Sequence, residues 1–185
     1  NAAASLTYKP WEWLTLEGKV APRFLWNTNH TFTDYITYYS DPYGTVSNAT
    51  NVEHNSLYEG RSRFFYGNYQ FTATFGKKFA GAHDLRVLLG ASRETMDSST
   101  LSARRYDYAY PDYETINAGA DNELKENGGA REQLALQSYF GRINYNYKER
   151  YLLEANVRFD GSSRFAKGNR WGIFPSFSAA WRVTE

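Results

Sequence analysis

The sequence predicts an all-β chain forming part of a large antiparallel transmembrane β-barrel, about seven strands with short periplasmic turns and long extracellular loops. Three observations predict it: residues alternate apolar and polar with a period of two, short and long connections alternate strictly, and aromatic side chains gather where strands end. No apolar run approaches the roughly 18 residues of a membrane helix, whereas a barrel strand needs only about 9 to 11 and shows every second residue to lipid. A mean hydropathy of -0.67 suits such a half-polar wall. The opening residues Asn1-Ala2-Ala3-Ala4-Ser5 do not read as a signal peptide.

The strands follow in order. A weak first one holds Ala4, Leu6 and Tyr8. The second is the clearest, with Leu14, Leu16, Gly18, Val20, Pro22, Phe24 and Trp26 alternating with Thr15, Glu17, Lys19, Ala21, Arg23 and Leu25. In an extended chain these sets face opposite sides, one apolar and one mostly polar. Phe65, Tyr69, Phe71 and Phe75 then oppose Tyr66, Asn68, Gln70 and Thr72. Leu85, Val87, Leu89 and Ala91 oppose Arg86, Ser92 and Glu94, and Tyr139, Gly141, Ile143 and Tyr145 oppose Ser138, Phe140, Arg142 and Asn144. Tyr151, Leu153, Ala155, Val157 and Phe159 oppose Glu154, Asn156, Arg158 and Asp160. The last strand sets Phe177, Ala179, Trp181 and Val183 against Ser176, Ser178, Arg182 and Thr184.

Links at 9–13, 76–84 and 148–150 are short, those at 27–62 and 97–133 are long and unpatterned, and 161–170 is intermediate. Outer-membrane barrels alternate in this way, whereas compact soluble domains rarely carry two such loops. Trp11, Trp13, Trp26, Tyr147 and Tyr151 sit at strand ends, where amphipathic rings favour the membrane interface. Seven strands cannot close a barrel of even count starting at eight, so a piece of a larger barrel is expected.

Composition narrows function. The charges, 21 Lys+Arg against 20 Asp+Glu, give no basic excess for nucleic acid. Without Cys there are no thiolate sites or disulfides. His30, His54 and His83 match no metal-ligand spacing, so no metal, no cofactor and no enzyme activity is expected. Asp160-Gly161-Ser162-Ser163-Arg164-Phe165 combines carboxylate, hydroxyls and guanidinium without a His base, and reads as a turn rather than a catalytic site.

The segments Ser138-Tyr139-Phe140-Gly141-Arg142-Ile143-Asn144-Tyr145-Asn146-Tyr147, Arg150-Tyr151-Leu152-Leu153, Arg158 to Phe165 and Asn169-Arg170-Trp171-Gly172-Ile173-Phe174-Pro175-Ser176 resemble the SusC-like (RagA-like) TonB-dependent outer-membrane transporters. Tyr8-Lys9-Pro10 with Trp13-Leu14-Thr15-Leu16 is similar to an earlier hairpin of that family. Phe159 departs from its pattern, which usually has a second basic residue there. The resemblance implies a barrel of about 22 strands around an N-terminal plug, in the outer membrane of a Gram-negative bacterium. It further implies energy from the TonB complex through that plug, a SusD-like lipoprotein as extracellular lid, and an oligosaccharide or peptide as cargo. Plug, TonB-contacting segment and signal peptide are expected to lie outside this chain, making residues 1–185 a barrel-wall segment in contact with outer-membrane lipid.

Within that frame Lys19, Arg23, Arg86, Arg142, Glu154 and Arg158 are expected to face the lumen or the plug, and Asp160 to Phe165 with Trp171, Gly172 and Pro175 form the family motif. The two long connections hold 12 acidic and 5 basic residues, leaving 8 acidic and 16 basic elsewhere, and nine of the 16 Tyr: Tyr35, Tyr38, Tyr39, Tyr43, Tyr58, Tyr106, Tyr108, Tyr110 and Tyr113. A ring face with a hydroxyl suits sugars, peptides and protein partners alike, so these are the ligand- or lid-contact candidates. Asn29-His30-Thr31 and Asn48-Ala49-Thr50 match a glycosylation pattern that a bacterial membrane protein has little use for. The rival expectation is a soluble β-sandwich glycan-binding module, its aromatic platform resembling a lipid face.

Overall fold

The structure, a computed structural model, describes residues 2–45 and 47–183. Its strands are β1 (Ala4–Trp11), β2 (Leu14–Thr33), β3 (Thr37–Tyr39), β4 (Ser47–Thr50), β5 (Ser56–Phe79), β6 (His83–Tyr106), β7 (Glu126–Tyr147), β8 (Tyr151–Ser162) and β9 (Trp171–Trp181), with one 3-10 turn at Ile116–Ala118. One seven-stranded sheet follows chain order, β1-β2-β5-β6-β7-β8-β9, and β3 and β4 make a separate two-stranded ribbon. The seven strands of the sheet agree with the expectation, whereas the ribbon stands in a connection expected to be loop. Thr184, assigned from the sequence to the last strand, lies outside the described residues.

Strand length does not agree. Because β2 runs on to Thr33, β5 starts at Ser56, β6 runs on to Tyr106 and β7 starts at Glu126, the connections expected at 27–62 and 97–133 reduce to 34–55 and 107–125. The physical reason is that the outlying strand segments carry Thr, Asn, Ser, Glu and Arg on both faces. Backbone pairing there continues without the apolar alternation by which a strand is recognised. β9 likewise begins at Trp171, within the family motif and ahead of the alternation at Ser176.

The chain divides into two compact units, one of residues 1–24, 65–97 and 133–185, the other of 25–64 and 98–132. In the first, hairpin turns are tight. Ala80 and Gly81 have φ of 49° and 66°, and Lys148 and Glu149 have 51° and 55°, left-handed pairs inside the three-residue links 80–82 and 148–150, whose twist matches the strands they join. Register fixes the faces. Leu6 pairs with Gly18 and Tyr8 with Leu16, while Ser5 pairs with Lys19 and Thr7 with Glu17. Ile143, Ala155 and Phe177 form one cross-strand row, and Arg142, Asn156 and Ser176 the next. These pairs join like with like, so this unit has one apolar face and one mostly polar face, on which Phe140 and Phe174 flank Arg158.

Among the described residues of the first unit, the side chains of the apolar face lie open. Phe177 is 81% exposed and Val157 48%, and the only buried apolar side chains among the described residues are Leu57 and Tyr108. A sandwich of this size would bury dozens of such side chains between two sheets. The soluble-module expectation is therefore not favoured: within the first unit, among the described residues, the apolar side carries no packed layer.

Candidate functional site

The polar face of the first unit is a wall of side chains bonded to one another. Arg158 Nε donates to both carboxylate oxygens of Asp160, at 2.8 and 2.9 Å, and its Nη2 donates to Ser138 Oγ at 3.1 Å. Its guanidinium lies 5.6 Å from the centre of the Phe140 ring. Farther along, Arg142 Nε donates to Asn156 Oδ1 at 2.8 Å, and Asn156 and Asn144 each donate to Glu154, at 2.7 and 3.0 Å. Tyr66 donates to Glu94 at 2.7 Å, and Lys19 lies 3.2 Å from Glu17. Cross-strand placement makes this possible: Asn144 stands opposite Glu154 and Ser138 opposite Asp160, and directly opposed side chains meet.

Two clefts open on this wall. One of about 370 Å³ is lined by Arg86, Asn144, Glu154 and Ser178, the other of about 430 Å³ by Glu94, Ser138, Arg158, Asp160 and Phe174. Of the residues expected on this face, Arg86 and Glu154 line the first cleft and Arg158 the second, Arg142 joins the wall through Asn156, and Lys19 and Arg23 stand on β2.

The motif segment is built as a turn. Ser163 is tied twice to β7, its N–H donating to Ala135 O and its Oγ accepting from Ala135 N–H, both at 2.9 Å. Ser162 N–H donates to Arg170 O at 3.0 Å, and Arg170 Nε donates to Phe165 O at 3.0 Å. Gly168 supplies a φ of 101°. Gly161 serves a different purpose: a Cβ there would lie 2.9 Å from the Trp171 ring, so only glycine lets that ring lie flat on the apolar side. Pro175 stands opposite Val157 on that side.

Rings bracket the apolar face at both ends. Remote from the short turns, Trp171 stacks on Phe159 with centroids 4.7 Å apart, and on Tyr139 at 6.0 Å. At the short-turn end Tyr151 stacks on Tyr147 and Trp181, Trp11 stacks on Trp13 at 5.0 Å, and His83 donates or accepts through Nδ1 to Tyr145 Oη at 2.6 Å. Trp171 and Trp181 are ten residues apart on β9, about 33 Å along a strand. A tilt of roughly 40° reduces this to about 25 Å, the height of a barrel's apolar band.

The second unit corrects the tyrosine assignment. Tyr58 and Tyr106 are strand residues, not loop residues: the Arg104 guanidinium covers the Tyr58 ring at 5.2 Å, and Tyr106 donates to Glu126 at 2.7 Å. Tyr108 is a packing residue. It is buried, set edge-on against Phe32, its N–H donating to Asn55 Oδ1 at 2.7 Å while Asn55 Nδ2 donates to its carbonyl at 3.0 Å. Burial raises its phenol pKa. Tyr35, Tyr38, Tyr39, Tyr43, Tyr110 and Tyr113 remain exposed, Tyr38 and Tyr39 on the ribbon.

Histidines hold this unit together, which the spacing of His30 and His54 did not reveal. His30 Nδ1 meets Glu59 at 2.6 Å and Nε2 meets Glu114 at 2.5 Å. These bonds, Glu114's first and then Glu59's, raise the imidazole pKa above its ordinary value. The carboxylates approach opposite ring nitrogens and cannot converge with the ring on one ion, and no group of potential ligands that could hold a metal occurs among the described residues. His54 Nδ1 meets Asp107 at 2.6 Å, and Asn122 donates to the same carboxylate at 3.0 Å. Lys125 and Arg105 beside Asp121 lower its carboxyl pKa.

Residues 2–185 match the family model described as TonB dependent receptor-like, beta-barrel. The chain belongs to that family. It is similar to the TonB-dependent receptor SusC of Bacteroides thetaiotaomicron, 28% identical over 172 residues covering 93% of this chain and 16% of SusC. It is also similar to the TonB-dependent receptor P39 of Formosa agariphila, 32% identical over 133 residues covering 71% of this chain and 12% of that relative. Among solved structures, the RagAB peptide transporter aligns with a TM-score of 0.81 at 20% identity, covering 96% of this chain and 19% of that one. The chain thus spans less than a fifth of the length of these relatives.

Proposed function

We propose that this segment is wall and loops of an outer-membrane importer of oligosaccharides or peptides, energised by TonB through a plug and capped by a SusD-like lipoprotein. One observation carries the reading: an open apolar face bracketed by two sets of stacked rings ten residues apart along β9, about 33 Å of strand that at a barrel's usual tilt spans its apolar band, backed by a self-bonded polar wall. In this reading the apolar face meets outer-membrane lipid in a Gram-negative cell. Lys19, Arg23, Arg86, Arg142, Glu154 and Arg158 face the lumen and hold the plug, since most of them are already bonded to neighbours and a plug needs a fixed polar wall. The relatives named for SusC and for the RagAB peptide transporter support import as the activity. The chain's own part in recognition falls to the exposed tyrosines of 34–55 and 107–125, the segments taken to be extracellular.

The test uses the full-length transporter in its host. Deleting 37–45 or 109–113 should lower uptake or co-purification of the lid lipoprotein, while the barrel stays heat-modifiable on gels. Unchanged uptake and co-purification in both deletions would place recognition elsewhere in the transporter.

A further inference from the structure

At the end of the first unit's apolar face remote from the short turns, in the cross-strand row of Gln137, Gly161 and Trp171, stands a charged residue, Arg93. Gly67 lies against Thr95, and Gly141 against Leu89 Cδ2 at 3.4 Å, so two residues on along each strand Tyr69 faces Arg93, and four residues on from Gly141 Gln137 faces it from the other side. Arg93 is exposed and carries no ion pair among the described residues. A lipid-facing Arg costs about 2 to 4 kcal/mol at the bilayer midplane but about 0 to 1 near an interface. Arg93 is at an interface by position: one row away stands Tyr139, a member of the Trp171 ring stack.

Beside it the face is hollow. A cleft of about 340 Å³ is lined by Gly18, Val20, Phe71, Ala91, Arg93 and Tyr139. At Gly18 the trough is open, since a Cβ there would meet nothing within 4 Å. The polar rim is chemically specific. Arg93 offers a planar fork of donors suited to phosphate oxygens. Gln137 spends its Nε2 on Tyr139 Oη at 2.6 Å, which leaves its carbonyl to accept from a hydroxyl and the phenol to donate outward. A guanidinium, a free amide carbonyl and an apolar trough together suit a lipid that carries phosphate, sugar hydroxyls and an acyl chain.

We infer that this cleft binds one phosphorylated glycolipid of the outer leaflet, its phosphate on Arg93, a sugar hydroxyl on Gln137 and an acyl chain along Gly18, Phe71 and Ala91. The inference rests on the membrane reading proposed above. In that reading the end remote from the short turns lies in the outer leaflet, which selects a glycolipid over an inner-leaflet phospholipid.

The experiment takes the full-length transporter, delipidated in detergent, and measures retention of added lipid A, dephosphorylated lipid A and phosphatidylglycerol by native mass spectrometry. Wild-type protein should bind lipid A best. Arg93→Gln should weaken that binding about tenfold, the scale of a charge-assisted hydrogen bond, and should remove the preference for lipid A over its dephosphorylated form. Gly18→Leu, which fills the trough, should weaken both lipid A forms while leaving the preference intact. Equal lipid A binding by wild type and Arg93→Gln would overturn the site, and equal binding of phosphatidylglycerol and lipid A would overturn the choice of lipid. Heat-modifiability of the same samples separates this from a failure of the membrane reading, in which even the wild type would show no folded barrel.

Discussion

Phe177→Arg in the full-length transporter tests the lipid face most directly. Phe177 lies four residues from Trp181 and six from Trp171. With a rise of about 3.3 Å and a tilt near 40°, it is about 10 Å from one ring set and about 15 Å from the other. A snorkelling Arg stem bridges only part of that distance. The expected cost is thus the midplane one, about 2 to 4 kcal/mol, equivalent to roughly 30- to 900-fold in the folding equilibrium. Ser176→Arg is the internal control. It changes the adjacent residue of the same strand, but on the polar face opposite Asn156, and should cost less than about 1 kcal/mol. Thr72 is a poorer control, because at 9% exposure it lacks room for Arg. Urea titrations of folding into lipid vesicles, followed by heat-modifiability, measure both variants. Equal losses, or a larger loss for Ser176→Arg, would refute the assignment of faces.

Other outcomes follow from the second unit and from the sheet edges. Asn55→Ala removes both bonds to the Tyr108 backbone and leaves buried polar groups unpaired, so the 107–125 loop should open more easily by about 2 to 3 kcal/mol, read as faster amide exchange there. His30 has a folded pKa raised by Glu114 and Glu59, so its stabilisation is full below the ordinary imidazole pKa of about 6.5 and is lost as pH rises through the elevated value. Protease cutting at 107–125 should therefore increase with pH across that window, and His30→Gln should flatten the dependence; an unchanged profile in that variant would assign the effect to another group. The isolated 185 residues should give no monodisperse, heat-resistant monomer in detergent, because β1 and β9 each present an unpaired edge that hydrocarbon does not solvate.

The two-residue period made the seven strands, their order and their faces legible, since it is imposed by two different solvents on the two sides of one sheet. Val20, Phe71, Ile143 and Leu153 stand where that pattern puts them. Strand ends were not legible for the same reason reversed. Past Trp26 on β2 and beyond Gln133 on β7 both faces carry polar residues, the alternation vanishes, and nothing in composition separates a paired strand from a loop. Backbone pairing needs no apolar side chain, so β5 and β6 continue where the pattern falls silent.

Of the candidate site, the polar wall was legible and the loop interior was not, and the difference is one of range. Arg158 and Asp160 are two residues apart on one face, and such neighbours can be paired from sequence alone. Asn55 and Tyr108 are 53 residues apart, and His30 and Glu114 are 84. Nothing in the local sequence distinguishes the buried Tyr108 from the exposed Tyr110 two positions on. What separates them is the reach of Asn55, whose single side chain both donates to and accepts from the Tyr108 backbone and so draws that ring inward against Phe32. The tyrosines left outside are those whose backbone no such group captures. The recognition surface proposed for these loops would therefore be defined as much by the residues that fix Tyr108 as by the exposed rings.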